Sequence, residues 1–462
     1  MICLSGALTA VALALSPAPV HAEETLRLTS DEVANRAEHT SFELQARREE
    51  LAAAEASIDQ AEAGYVPTVR AGARYTRLSS INNPALGTLI TVPGADPGPV
   101  APGAQLVAVP LRFPVLLNQY AFTASLAVPL SDYLLRVPHG VASAEASERA
   151  KRLEMRAAGL EVAAHARVMY YEWVRSYLQL GVAEQTLEQT RAHLVDARHL
   201  FDLGLVPEAD VLRAESQVAE SELLLERTRN AAALREQQLR TSMHDTSGAR
   251  YEIGESVDGE PVARAPQDLA VLRATAARRR LELKVFDENR HSLEEQGEVA
   301  RAAELPRLDG TADVAYADPN PRVFLQSNKF VPTWSAGVML SWTPTDSVGA
   351  SAQTRAARAR ARALSAQRRV FQDAIAVELT RAYQAEQEAY KAGETSERRL
   401  RSAEEAFRVR SVLFRNGRGT NLELTDAQTE LVRARFDTIG ARVDQRIAHA
   451  QLLHAAGLDT PE

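Results

Sequence analysis

The chain carries the same succession of segments twice, and this duplication limits its possible folds more than any other feature. Glu43-Leu44 matches Glu282-Leu283 and Pro67 matches Pro306, both at an offset of 239, and Tyr75 matches Tyr316 after a small shift. Further on, Tyr170 pairs with Tyr383, Tyr177 with Tyr390, Leu200-Phe201 with Leu413-Phe414, Gly204 with Gly417, Ala214 with Ala427 and Leu239 with Leu452, all at an offset of 213. Two collinear blocks separated by one length change identify a tandem repeat. The offset falls by 26 within 79–119, the one long Pro/Gly-rich stretch, so the first copy carries a longer loop there. The repeats span 23–243 and 267–457, with a polar connector at 244–266 and a tail at 458–462.

Each repeat opens with a helical segment, about 30–64 and 267–302. In the first, Leu44, Leu51, Ala54, Ile58 and Ala61 recur at helical spacing. Pro67 and Pro306 end these helices and begin extended segments. There Val69, Ala71, Ala73 and Tyr75 alternate with Arg70, Gly72 and Arg74. Second extended segments follow at Tyr120–Leu130 and Thr333–Thr343. Eleven residues at about 3.3 Å each reach roughly 36 Å, enough for a tilted crossing of a bilayer. Tyr75, Tyr120, Phe122, Tyr316, Trp334 and Trp342 fall near the ends of these segments, where interfacial aromatic girdles belong.

Long helices come next. Residues 141–201 hold no Pro and only Gly159 and Gly181, and at about 1.5 Å per residue they would extend roughly 90 Å. A break at Leu203-Gly204-Leu205-Val206-Pro207 precedes a helix from Glu208 to about Met243. The second repeat has helix at about 347–414, a break at Asn416-Gly417-Arg418-Gly419-Thr420, and helix at about 422–456. Hairpins this long, with thin Ala-rich apolar stripes, are coiled-coil arms. Within the connector, Arg250–Ile253 can add a short strand.

Residues 2–20 form an apolar run ending in Val20-His21-Ala22, which has the form of a secretory signal peptide at 1–22. No Lys or Arg precedes the run. After residue 22 no stretch of about 20 apolar residues occurs, so the mature chain is not expected to cross a membrane as a helix; alternating strands escape that criterion. The single cysteine, Cys3, excludes an internal disulfide and a Cys-based metal site. The net charge of −8 argues against a nucleic-acid partner. The basic runs Arg149, Lys151, Arg152, Arg156 and Arg355, Arg358, Arg360, Arg362 read as solvated faces, or as contacts to lipid phosphate. The sequence has no zinc-protease motif, nucleophile elbow or phosphate loop. His193/His199 and His449/His454 are spaced six and five, unlike a helical metal pair. No enzyme, cofactor or metal is expected.

The order signal peptide, then twice helix–strand–loop–strand–long hairpin, resembles the TolC-like outer-membrane channels of Gram-negative bacteria. The segments that carry the resemblance are LFDLGLVPEADVLRAESQ (200–217), LFRNGRGTNLELTDAQTEL (413–431) and the opening segment (30–69). The resemblance implies a mainly helical fold with duplicated long hairpins forming a periplasmic α-barrel. It also implies four strands per chain, which close in a homotrimer as a transmembrane β-barrel; the strands alone would also permit a dimer. It implies an exit duct in an efflux or type I secretion system, partnered by a periplasmic adaptor, an inner-membrane transporter and outer-membrane lipid. In similar channels acidic residues after the second tip line the periplasmic entrance, which points to Glu423 and Asp426, with Asp210 the first-repeat counterpart of Glu423. The family's tip latch joins such an acid to a Tyr and an Arg; here those positions hold Phe414 and Gly419, with Arg418 adjacent. Asp202, Leu203, Gly204, Leu205 and Arg415, Asn416, Gly417, Arg418 are the expected adaptor-contact tips. The alternative is a soluble periplasmic coiled-coil scaffold or adaptor subunit.

Overall fold

The computed structural model describes residues 25–81, 87–93, 98–110, 116–256, 268–324 and 326–459. The signal-peptide segment 1–22, with Cys3, lies outside the described residues, as do much of the connector and the end of the tail. The element order repeats as the sequence predicts. The first round is α1 (Ser30–Thr40), α2 (Phe42–Glu62), β2 (Thr68–Arg77), β5 (Asn118–Val128), α4 (Val137–Asp202) and α5 (Glu208–Ser242). The second is α6 (Leu269–Arg279), α7 (Leu281–Ala302), β7 (Arg307–Asp318), β8 (Val331–Ser341), α8 (Asp346–Arg415) and α9 (Asn421–Ala456). A short strand β1 (Thr25–Leu28) precedes α1, and among the described residues the short strands β3 (Thr88–Thr91) and β4 (Val107–Pro110) and the short helix α3 (Asp132–Leu135) occur in the first round only. The connector strand is β6 (Arg250–Ile253).

Two expectations are corrected. Each opening helix is two helices, because Ser41 (φ −62°, ψ 122°) and Arg280 (φ −60°, ψ 118°) are extended. They are 239 apart, so the kink is itself duplicated. Neither is a helix breaker by type, and the kink survives because flanking side chains anchor both sides: Ala37 and Leu44 in the first repeat, Ala276 and Leu283 in the second, are all buried. Strand β1 was not foreseen; it pairs in parallel with β6, Leu26 opposite Tyr251.

The chain forms two compact units, each drawing on both repeats. One holds residues 49–154 and 282–370. Its antiparallel sheet has the order β2-β5-β7-β8, leaving β2 and β8 at the edges. Neighbouring helices are joined in that same order. Between α2 and α4, Lys151 Nζ lies 3.2 Å from Glu50 and Arg152 lies 3.7 Å from Glu55. Between α4 and α7, Arg149 Nε donates to Glu288 at 2.9 Å and the Ser143 and Ser292 hydroxyls meet at 3.0 Å. Between α7 and α8, Arg358 lies 3.3 Å from Glu298 and Arg368 3.0 Å from Asp287. Most of the first basic run, and Arg358 of the second, is therefore ion-paired within the chain.

The other unit holds residues 1–48, 155–281 and 371–462. Its core joins Leu28, Val33, Tyr170, Trp173, Val174, Leu239, Tyr251 and Val443. Tyr170 donates its hydroxyl to the Leu28 carbonyl at 2.8 Å, and burial pushes the phenol well above its usual range. Trp173 stacks edge-on to Tyr251, whose ring also carries the Arg240 guanidinium 4.1 Å from its centroid. These contacts tie β1 and β6 to the long helices.

Near the chain's end His454 Nδ1 lies 2.6 Å from Asp459 Oδ2. That hydrogen bond raises the His454 pKa above 6.5, against the opposing effect of burial and of Arg280. A raised folded-state pKa stabilises the paired state fully below about pH 6.5 and loses that contribution as pH rises through the folded value. Hydrogen-exchange protection of the 453–458 amides should therefore fall on that rise. In His454→Gln the protection should be lower at acid pH and flat across the window.

Candidate functional site

The register of the sheet sorts its side chains into two unlike faces, because directly paired residues share a side. On one face lie the rows Tyr75–Tyr120, Ala73–Phe122–Tyr316–Pro332, Ala71–Ala124–Val314–Trp334 and Val69–Leu126–Ala312–Ala336, continuing through Val128–Gly310–Val338 and Leu308–Leu340. Charge enters this face at one end only, with Arg77 and Asp318 where β5 begins. The opposite face carries Arg70, Ser125, Asp313 and Ser335 in one row, with Arg74, Thr123, Thr333, Arg307 and Asp309 around it. The apolar face is open to the surroundings: Val69 is 70% exposed, Trp334 76% and Leu340 69%. A patch of this extent is a contact surface for lipid or protein.

Aromatic side chains concentrate towards the two ends of that face. Tyr75 and Tyr120 pair at 5.0 Å, and Phe330 stacks on Tyr316 at 4.9 Å while reaching Tyr120 and Phe122 at 6.2 Å. Phe330 was not singled out in the sequence, since it precedes its strand. At the helix-proximal end Tyr65 and Tyr133 approach to 6.0 Å, and Trp342 Nε1 donates to the Glu304 carbonyl at 3.3 Å. Trp334 differs from expectation: β8 is staggered, so this ring stands level with the middle of β5. Among the described residues no helix is long and apolar enough to cross a membrane.

The helical tips lie in the other unit, and their turns are two copies of one geometry. Gly204 and Gly417 adopt φ of 73° and 65°, where a side chain is strained. Leu205 N donates to Leu200 O and Gly204 N to Phe201 O; Arg418 N donates to Leu413 O and Gly417 N to Phe414 O, at 2.8–2.9 Å. These Schellman pairs satisfy the helix-end carbonyls. Of the expected tip contacts, Asp202, Leu203, Leu205, Arg415, Asn416 and Arg418 are all exposed.

Behind the turns, four helices are locked together by residues far apart in the chain. His193 on α4 is buried, and its Nε2 lies 2.8 Å from Asn421 Oδ1 on α9. Asn421 Nδ2 donates to the Asp210 carbonyl on α5 at 2.8 Å. Phe414 on α8, 1% exposed, packs edge-on against the His193 ring at 4.9 Å, beside Ala197, Leu200, Ala214 and Leu424. Phe414 thus faces the interior of its own chain. Gly419 sits against the same turn; an added Cβ would meet Phe414 N at 3.1 Å.

The acidic residues divide. Glu423 closes a capping box with Thr420 and also pairs with Arg410 at 3.1 Å. Asp426 is exposed, and Asp210 contributes its carbonyl to the interhelical bond. Among the described residues no group of three or more His, Cys, Asp or Glu is placed to hold a metal ion.

A sequence profile described as outer membrane efflux protein matches residues 33–243 and 272–458. Similar solved structures include the outer-membrane protein VceC of Vibrio cholerae, 16% identical over 93% of this chain and 96% of that one, with a TM-score of 0.69. They also include the Campylobacter jejuni CmeC outer-membrane channel (12%, 99% and 93%, TM-score 0.72) and the open state of the Neisseria gonorrhoeae MtrE outer-membrane channel (15%, 93% and 88%, TM-score 0.71). No curated protein matches the chain in sequence.

Proposed function

The chain belongs to the outer membrane efflux protein family, and from that membership we propose that it works as a homotrimeric exit duct, gated at its periplasmic tips. The observation that carries this reading is the four-stranded sheet with one exposed apolar face, one polar face and two open edges. Backbone groups in lipid need partners within protein, so such a sheet belongs in a closed barrel whose apolar face meets lipid and whose polar face lines water. Three copies supply twelve strands. The outer membrane of a Gram-negative cell is the setting such a barrel fits, with the hairpins in the periplasm. A soluble scaffold would leave the apolar face in water and gives it no purpose.

Leu203 and Leu205 serve the turn through their backbone amides alone, and their exposed side chains, with Arg415 and Arg418, offer the tips to a periplasmic adaptor. Energy for export comes from an inner-membrane transporter. The decisive experiment is planar-bilayer conductance of the detergent-extracted protein with its oligomer mass determined on the same sample. A conducting trimer supports the duct; a monomer soluble without detergent and silent in bilayers overturns it.

At the entrance, Asp426 and Glu423 in three copies form a carboxylate ring that favours cations. Asp426 carries the larger share, because Glu423 is offset by Arg410. Reversal potentials should shift towards non-selectivity in Asp426→Asn, and further in Asp426→Asn with Glu423→Gln. Unchanged cation/anion permeability in the double variant would take these residues out of the pathway.

A further inference from the structure

The internal repeat makes the joint between neighbouring copies readable from a joint inside one chain. In the sheet-bearing unit the helices follow the order α2, α4, α7, α8, and the strands they adjoin follow β2, β5, β7, β8. The α4–α7 joint links the end of one repeat to the start of the next. If copies close edge to edge, α8 of one copy meets α2 of the next, and that joint is again the end of a repeat against the start of one. Residues at the α4–α7 joint therefore have counterparts at an offset of +213 on α8 and −239 on α2.

These offsets hold through the helices. Ala37 and Ala276, Leu44 and Leu283 are buried alike, as are Ala166 and Leu379 and also Trp173 and Glu386. At the internal joint Arg149 pairs with Glu288 at 2.9 Å, and the buried Ser143 hydroxyl donates to the Ser292 carbonyl at 3.1 Å. The counterparts of Arg149 and Glu288 are Arg362 and Glu49, charges of the same signs. The counterparts of Ser143 and Ser292 are Ala356 and Ala53, equally small. All four are exposed. Among the described residues neither Arg362 nor Glu49 has an ion-pair partner.

The wider charge pattern agrees. From Glu49 to Val69 the chain has five acidic residues and no Lys or Arg; from Ser347 to Gln372 it has six arginines and no acid. Within the chain the acidic α2 and α7 are each ion-paired to cations of a neighbouring helix, Lys151 and Arg152 of α4 for α2 and Arg358 and Arg368 of α8 for α7. Beyond those pairs, the two terminal helices carry net charge of opposite sign, negative on α2 and positive on α8.

We propose that neighbouring copies join through α8 and α2 as a repeat of the α4–α7 joint, with Arg362 of one copy paired to Glu49 of the next and Ala356 packed on Ala53. This joint rests on the barrel reading above. It gives closure a direction, since each copy presents a basic end to an acidic one, and like ends repel.

The test uses the full chain with Cys3→Ser, which leaves no native cysteine. Ala53→Cys with Ala356→Cys should link the oligomer covalently on oxidation, because the hydroxyls of the corresponding serines approach to 3.0 Å. Each single cysteine variant should stay monomeric on a denaturing gel. Separately, Arg362→Glu and Glu49→Arg should each lower the temperature at which the detergent-extracted oligomer dissociates, and the double exchange should restore it. An oligomer of unchanged mass in which the cysteine pair does not link and the double exchange rescues nothing would overturn this joint and leave the duct standing. A wild-type chain that is monomeric and non-conducting would overturn the duct and the joint together.

Discussion

Ala124→Arg should all but abolish assembled protein in the outer membrane, whereas Ser125→Arg, one residue away, should assemble at close to wild-type yield. Both positions lie near the middle of the central strand β5. Ala124 shares its row with Ala71, Val314 and Trp334 on the apolar face. Ser125 shares its row with Arg70, Asp313 and Ser335 on the polar face. A guanidinium at mid-bilayer depth on a barrel's lipid face costs about 2–4 kcal/mol. In a trimer that cost applies three times to one assembly event. On the polar face the new charge is solvated by the water-filled lumen and sits in a row that already holds an acid. The measurement is the ratio of heat-modifiable oligomer to total chain in membrane fractions. Equal yields for the two variants would mean that the two faces are not in different solvents, and the barrel reading would fall.

The second large effect is expected at the tips. Phe414→Ala removes a ring that is 1% exposed and packed on His193, Leu200 and Leu424. Truncation of a buried Phe costs about 3–5 kcal/mol. The loss is local, since Phe414 belongs to the small cluster holding four helices together rather than to the larger core around Trp173. Hydrogen exchange should accelerate in 193–215 and 410–428 while the amides around Tyr170 and Leu239 keep their protection. If the tips form the gate, the same variant should raise the basal conductance of reconstituted channels. Phe201→Ala, the first-repeat counterpart, should do little, because that ring is 42% exposed. Equal effects at the two positions would contradict the one-sided packing of the tip.

Much of this architecture could be read from residue types alone. Strand and helix limits fall within a few residues of expectation because prolines, glycines and aromatic residues stayed in phase between the repeats. The features that escaped have physical reasons. Ser41 and Arg280 bend their helices through tertiary anchoring, which leaves no mark on residue type. Strand β1 spans four residues, too few to show alternation. His193 and Asn421 lie 228 residues apart, and their hydrogen bond exists only because two hairpins meet side by side. One signal was present and read differently: Thr420-x-x-Glu423 is a capping-box pattern, and the structure spends the Glu423 carboxylate there and on Arg410 before any pore could use it. An acidic ring formed there would be weaker than two carboxylates per chain would make it.

The open edges of β2 and β8 bear on how the protein is made. A newly exported copy carries two unpaired strand edges beside an apolar face, the combination most prone to wrong pairing. Its maturation is therefore a race between encounter with its own kind and encounter with anything else that offers an edge. If the sheet closes with other copies as proposed, the productive step needs them, and its rate climbs with supply faster than in simple proportion. A cell producing this chain sparsely would accumulate a disproportionate share as orphans for its proteases, and the number of working pores would depend on the timing of synthesis as much as on its amount.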